Sequence, residues 1–344
     1  MVNPDLPTLD NVEDYLTPMT NGYLVQYRSS DSLDKYLYAV EFAPFRMYQY
    51  VNGILSLVVN PTGTLWGRTG GCSDYRPTPT EVDSDGWPIL KQGDCSFDVG
   101  LGFWLPSEYI YGLPGRESDF NLQTTEVGVS EPYRLFNRDL DPHAYDNIQE
   151  LYGSIPYVTY HEEDKDASIA WMNSADTWVD FWPMEISGQR GTYTSFVSEF
   201  GSVDFFIFAS ATHPDRVQQR LAEVTGTTTL PPFQTLGFHF SKWAPVSADE
   251  ITMRSKNFTD TGFPVDVLWL DIEHALWADK ETAFTKDYRW FTFNPHNFTT
   301  TSLDAMKAEI AASKRRLVTI IDPHINVNDK YWVFEEGNYL QDNP

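Results

Sequence analysis

The stretch VDVLWLDIEH, Val265 to His274, sets three carboxylates, Asp266, Asp271 and Glu273, around an apolar Val267-Leu268-Trp269-Leu270 core. A short apolar run bounded by polar residues reads as a strand buried on both faces, the kind found in parallel sheets. The flanking sequence supplies the rest of such a sheet. Residues 235–243 (TLGFHFSKW) read as a strand, and 247–262 (SADEITMRSKNFTDTG) as a helix with Ser247 and Glu250 at capping-box spacing and Gly262 as its stop. Residues 301–314 (TSLDAMKAEIAASK) read as a second helix, with Leu303, Met306 and Ile310 on one face, and 316–324 (RLVTIIDPH) as a third strand. Strict alternation of strand and helix predicts a parallel sheet. Each strand ends in polar or aromatic residues: Lys242-Trp243, Asp271-Ile272-Glu273-His274, and Asp322-Pro323-His324. Parallel α/β folds bind ligands at the carboxyl ends of their strands, so the three ends are expected on one rim.

Upstream the pattern differs. Residues 36–51, 53–66, 151–162, 167–182, 192–201 and 202–210 are short runs rich in β-branched and aromatic residues, broken by turns such as Asn60-Pro61-Thr62-Gly63. They predict an antiparallel β-sandwich. Residues 73–94 read as a surface insertion, and 213–226 as a helix with Gly226 as its stop. The expected organisation is α+β and multidomain: a sandwich over 1–212, then a connector and an α/β region over 213–344.

Composition narrows the function classes. The 344 residues carry 24 Lys+Arg against 49 Asp+Glu, a formal charge of −25 that repels phosphate backbones and argues against nucleic acid as a partner. No apolar run reaches the roughly 18 residues a membrane-spanning helix needs, so no membrane partner is expected. The first residues, MVNPDLPTLDNVEDYLTPM, lack the basic and apolar regions of a signal peptide. Cys72 and Cys95 bracket an acidic loop, either bridged or as free thiols, and without histidines at ligand spacing they give no reason to expect zinc. Aromatic residues make up 15% of the chain, a supply of flat apolar surface that suits sugars and also suits a sandwich core. Asn257-Phe258-Thr259 and Asn297-Phe298-Thr299 are glycosylation acceptor patterns, relevant in a secretory protein.

The individual candidates each admit two readings. Asp271, directly after the apolar core, either accepts two sugar hydroxyls in charge-assisted bonds or caps loop amides at a strand end. Glu273 shares its side parity in an extended chain and would reinforce it, while His274 faces the other way and is either structural or a site residue. Asp322 is a rim ligand or a bracket behind the rim, with His324 beside it. Trp243 either stacks on a sugar ring or packs. In PYRLFNRDLDPH (132–143), Arg138, Asp139 and Asp141 form either a solvated loop or one that reaches over the rim.

Taken together, WLDIEH (269–274), IDPHI (321–325) and LPPFQTLGFHFSKW (230–243) resemble glycoside hydrolase family 31. The resemblance extends through YGLPGRES (111–118), PYRLFNRD (132–139), LYGSIP (151–156) and WMNSADTWVD (171–180), and spans roughly residues 36–336. It implies an N-terminal β-sandwich followed by a (β/α)8 barrel, of which this chain holds about the first three strands. It implies an α-glucosidase acting on an α-glucoside or glycan without metal or cofactor, most similar to the branch that trims α-1,3-linked glucose from N-glycans in the endoplasmic-reticulum lumen. A regulatory β-type subunit is the partner that branch implies. An α-1,4-glucosidase or a transglucosylase is the alternative within the family, and a non-catalytic glycan-binding fragment the alternative outside it. Carried over by position, Asp271 matches the carboxylate that binds the terminal glucose. Ile272 and Ile320 match apolar residues lining that pocket, Trp243 an aromatic at the first strand end, and Asp139 and Asp141 a loop that reaches the substrate. Many members of the glycan-trimming branch place Phe where Asp141 stands, which leaves linkage preference open.

The family works by a retaining mechanism with a carboxylate nucleophile and a carboxylic general acid/base. Its nucleophile lies in a W-x-D-M-N-E-like motif after the fourth barrel strand, and no such motif occurs in these residues. Neither catalytic carboxylate is therefore expected here, and Asp271 is not assigned as nucleophile. Three strands cannot close a barrel. The expectation is a truncated or nicked product, or an incomplete gene model, inactive alone, whose apolar Val267, Trp269, Val318 and Ile320 face needs the remainder of the enzyme as a second polypeptide.

Overall fold

The computed structural model describes the chain except for residues 1–15, 29–33, 68–97, 127–128, 139–146, 151, 212, 245, 278–286, 329 and 343–344. The chain divides into two compact units, Met1–Thr227 and Thr228–Pro344.

The N-terminal unit is an antiparallel sandwich. Among the described residues, one sheet has ten strands and a second has four, the latter built from Phe205–Ser210, Lys165–Trp171, Tyr157–Glu162 and Tyr111–Gly112. Turn chemistry sets the register. Asn52 and Gly53 both take positive φ between Phe45–Val51 and Ile54–Val59, the conformation that matches strand twist in a two-residue hairpin. The expected turn at Asn60 forms, with the Gly63 N–H donating to the Asn60 carbonyl at 3.0 Å. Phe103, Phe181 and Phe196 from the large sheet and Val158, Ile169 and Trp171 from the small one fill a common core. Buried hydroxyls bond across it: Tyr36 to the Ala209 carbonyl at 3.0 Å and Tyr160 to the Ser56 carbonyl at 2.7 Å.

The strand Val99–Leu105 was not anticipated, because Gly100 and Gly102 interrupt its apolar pattern. Gly102 has a packing cause: a Cβ there would lie 1.8 Å from the Tyr193 hydroxyl on the neighbouring strand. The helix Pro214–Thr225 belongs to this unit rather than to the α/β region with which the sequence grouped it. Its Val217 and Val224 bury against Tyr157, Ala170 and Phe208 of the small sheet. The insertion 73–94 and both cysteines lie outside the described residues.

In the C-terminal unit three parallel strands, β1 (His239–Phe240), β2 (Val267–Leu270) and β3 (Arg316–Thr319), pair in that spatial order. They alternate with α1 (Ala248–Asp260) and α2 (Thr300–Ala312), and α3 (Trp332–Asp342) follows. Strand pleat divides the residues. Leu268 and Leu270 pack with Ile251 of α1 and Met306 and Ile310 of α2, while Trp269 points to the opposite face and its indole N–H reaches His239 Nδ1 at 2.9 Å. Val267, expected to be left open, is buried, and Trp269, Val318 and Ile320 are half-buried.

Helix ends follow the sequence closely. Ser247 caps α1 by accepting from the Glu250 N–H at 3.2 Å, and Thr299 caps α2 by accepting from the Ser302 N–H at 3.2 Å. Only half of the capping box forms, since the Glu250 carboxylate turns to Arg254 instead. The strands are shorter than predicted. Phe233–Leu236 is a 3-10 turn, and β2 and β3 stop at Leu270 and Thr319. Behind the amino ends of the strands, buried Arg315 ties α1 to the sheet. It donates to the Val265 carbonyl at 3.2 Å, the Ser255 carbonyl at 2.8 Å, and the Ser255 and Thr259 hydroxyls at 2.9 Å each.

Candidate active site

The three carboxylates of the opening stretch occupy different ends of β2. Asp266 sits at the amino end and accepts from the Phe238 N–H at 2.9 Å, which fixes the entry to β1. That approach requires Gly237, where a Cβ would lie 2.3 Å from the Asp266 carboxylate. Asp271 and Glu273 sit at the carboxyl end. Directly after Asp271 the chain folds into a 3-10 turn, Ile272–Ala275, so the side parity assumed for Glu273 and His274 in an extended chain does not apply.

Asp271 caps that turn. One carboxylate oxygen accepts from the Ile272 N–H at 2.8 Å, the carboxylate's only hydrogen bond among the described residues. The capping reading of Asp271 is therefore present, through Oδ1, and its second carboxylate oxygen makes no hydrogen bond among the described residues. His274, 3% exposed, lies under the turn with Nδ1 at 2.7 Å from the Asp271 carbonyl oxygen, a contact in which the ring nitrogen is the donor. Trp290 and Phe293 enclose its ring at 6.0 and 5.6 Å. Burial pulls its pKa down and outweighs the neighbouring Asp271 carboxylate.

The other strand ends bring their residues to the same carboxyl edge. Trp243 follows β1 and is 71% exposed, a free indole rather than a packed one. Ile320 follows β3, half-buried, its N–H bonded to the Leu270 carbonyl at 3.2 Å. Half-buried Asp322 and exposed His324 come next, and the His324 ring meets the edge of Trp290 at 5.8 Å. Half-buried Ile272 and Glu273 complete the β2 end. Asp139 and Asp141 lie outside the described residues.

Sequence reasoning passed over the segment DYRWFTFNPHNF, 287–298, which has neither strand nor helix period. Its density of aromatics beside Asp287-Tyr288-Arg289 was the one available signal. In the structure it forms the floor behind the β2 and β3 ends. Asp287 receives both Arg289 Nε, at 3.0 Å, and Asn326 Nδ2, at 2.7 Å, and the Arg289 guanidinium lies 4.6 Å from the centre of the Trp277 ring. Among the described residues no cluster of His, Cys, Asp and Glu is arranged to hold a metal ion, and no helix is long and apolar enough to cross a membrane.

An antiparallel sandwich followed by three parallel strands alternating with helices, with carboxylates at the strands' carboxyl ends, is the architecture of a two-domain α+β protein. The family models resolve it further: residues 25–180 match the glycosyl hydrolase 31 N-terminal galactose mutarotase-like domain, and residues 228–343 the glycosyl hydrolases family 31 TIM-barrel domain. The chain belongs to glycoside hydrolase family 31. It is 36% identical over 254 residues to neutral alpha-glucosidase AB of Homo sapiens, an alignment that covers 69% of this chain and 25% of that protein. It is 30% identical over 321 residues to glucosidase 2 subunit alpha of Schizosaccharomyces pombe, covering 86% of this chain and 32% of that protein. Among solved structures, an ER glucosidase II heterodimeric complex of catalytic subunit and the binding domain of the regulatory subunit superposes with a TM-score of 0.76. The identity there is 28%, over 95% of this chain and 36% of that one. The chain thus spans between a quarter and just over a third of the length of these relatives.

Proposed function

We propose that this chain is the substrate-recognising part of a retaining α-glucosidase that removes terminal α-linked glucose, and that its natural substrate is α-1,3-linked glucose on N-glycans. The observation that carries the reading is the convergence at one carboxyl rim of Asp271, with an uncommitted carboxylate oxygen, exposed Trp243, and half-buried Ile272 and Ile320. Carboxylate oxygens that accept from sugar hydroxyls, beside a flat aromatic face and an apolar wall, are what a hexose requires. Asp271 holds the terminal glucose. Ile272 and Ile320 exclude water from it, Trp243 stacks on it, Glu273, His274 and His324 brace the rim, and Asp322 offers a further acceptor there. Asp139 and Asp141 are assigned to substrate through the family motif alone. The nucleophile and the general acid/base are assigned to residues beyond these 344, in keeping with the share of the relatives' length that the chain spans. The likeness to glucosidase II supports an endoplasmic-reticulum location and a regulatory-subunit partner.

The intact gene product, incubated with p-nitrophenyl α-D-glucoside and followed by proton NMR, is expected to release α-glucose first, in the presence of EDTA as well as without it. First release of the β-anomer, or no turnover of α-glucosides with turnover of another glycoside, would overturn the reading. Faster cleavage of an α-1,4-linked than of an α-1,3-linked disaccharide would overturn the linkage alone.

A further inference from the structure

Tyr288 stands at the same rim, on the chain that leads toward α2. Its backbone pairs with Leu276, just after the 3-10 turn that Asp271 caps, and the flanking N–H groups of Trp277 and Arg289 bond to the Asp287 and Ala275 carbonyls at 2.9 and 2.8 Å. The Asp287–Arg289 pair, held by Asn326 from the β3 side, anchors the residue before it and the residue after it. Its ring stacks on Trp290 at 5.9 Å and 7°, and Trp290 is itself buried between His274 and His324. Tyr288 is therefore a rigidly mounted phenol, half-buried, with its position set by both strand ends.

The hydroxyl has no hydrogen-bond partner among the described residues. Burial first, then the negative charges of Glu273, Asp271 and Asp322, raise its pKa and keep it protonated. The Asp322 carboxylate likewise has no hydrogen bond among the described residues, and Asp271 uses one oxygen. Ionised carboxylates only accept, whereas a phenol both donates and accepts. A ligand that satisfies such a set must offer several hydroxyls at close spacing, each giving a proton to a carboxylate or taking one from the phenol. That is the chemistry of a hexose.

We infer that Tyr288 is a substrate-contacting, specificity-determining residue that hydrogen-bonds one hydroxyl of the terminal glucose beside Asp271. The inference rests on the α-glucosidase reading above and adds a residue to it. The test uses the intact gene product, Tyr288→Phe, and p-nitrophenyl α-D-glucoside with its 2-, 3-, 4- and 6-deoxy analogues. Phenylalanine keeps the stack on Trp290 and removes only the hydroxyl. Loss of one such bond is expected to lower kcat/KM on the parent glucoside about tenfold, with the thermal midpoint unchanged. One deoxy analogue, lacking the contacted hydroxyl, should be turned over equally by both enzymes. Equal kinetics of Tyr288→Phe and wild type on every substrate, while Asp271→Asn is crippled, would remove Tyr288 from the site and leave the α-glucosidase reading standing. An identical loss on all four deoxy analogues would make its effect indirect and overturn the inference. Failure of the wild type to hydrolyse any of them would overturn both.

Discussion

Asp271→Asn separates the cap that this side chain makes from the sugar contact proposed for it. The cap is made by one oxygen accepting from the Ile272 N–H at 2.8 Å, and an asparagine Oδ1 makes the same bond. The 3-10 turn, and the His274 contact with the Asp271 carbonyl beneath it, should survive the change. What is lost is the charge and the second acceptor, replaced by an amide donor. Charge-assisted bonds contribute about 1.5–3 kcal/mol each, so converting a two-hydroxyl acceptor into a neutral, half-mismatched one should cost about 2–4 kcal/mol of transition-state binding. That corresponds to a fall in kcat/KM of about 30- to 1,000-fold. The measurement is steady-state hydrolysis of p-nitrophenyl α-D-glucoside by the intact gene product, with circular dichroism and a thermal melt to show that the turn and the sheet are retained. A kcat/KM within about threefold of wild type, with the fold intact, would mean that Asp271 caps the turn and does nothing else. A comparable loss accompanied by a lower thermal midpoint would mean that the cap, not the sugar contact, had failed.

Other perturbations test the scaffold. Arg315→Met keeps the apolar stem but removes four contacts to acceptors from α1 and the β2 entry. Stranding those buried acceptors should destabilise the C-terminal unit by about 2–4 kcal/mol in denaturant unfolding, and a loss below about 1 kcal/mol would contradict the assigned role. Burial lowers the His274 pKa, so the folded chain resists a proton that the unfolded chain accepts at about pH 6.5. Stability present above that pH is therefore lost as pH falls toward the folded value. His274→Asn, whose amide can still donate to the Asp271 carbonyl, should flatten this part of the pH–stability curve; an unchanged slope would place the titration elsewhere. Ser247→Ala removes the α1 cap and should cost about 1 kcal/mol, read from the same unfolding curves.

Sequence alone disclosed the parts of this fold whose information is local. The buried run Val267–Leu270 and the face formed by Leu303, Met306 and Ile310 are written in neighbouring residues, and so is the cap at Ser247. What escaped was decided by contacts between distant segments. Val99–Leu105 is a central strand of the large sheet despite two glycines, because Tyr193, 91 positions after Gly102, fills the space over that glycine. The helix Pro214–Thr225 reads identically whichever unit it joins, and only the apolar pocket at Tyr157, Ala170 and Phe208 settles the matter. Tyr288 was invisible for a related reason. Its partners Glu273 and Asp322 precede and follow it on different strand ends, so no window of sequence contains the site.

The two ends of β2 give the acids of VDVLWLDIEH different work. A strand of a parallel barrel has a stability end and a chemistry end, and a carboxylate takes its role from the end it occupies. Asp266 spends its carboxylate on the Phe238 N–H, pinning β1 to β2 at the amino ends of the strands. Asp271 stands one residue beyond the last ladder position of β2, Leu270, which pairs with Thr319. There the backbone leaves the sheet, and its first orphan N–H, that of Ile272, takes one oxygen and no more. Glu273, two residues on, lies inside the turn that Asp271 caps, close enough to Tyr288 for its charge to act on the phenol. Moving Asp266 or Asp271 by one position would strand the N–H that it now satisfies, that of Phe238 or of Ile272. Deletion of Asp271 should therefore abolish both the cap and sugar binding, whereas Asp266→Ala, which removes the acceptor of the Phe238 N–H far from the rim, should lower stability in denaturant unfolding and leave KM unaltered.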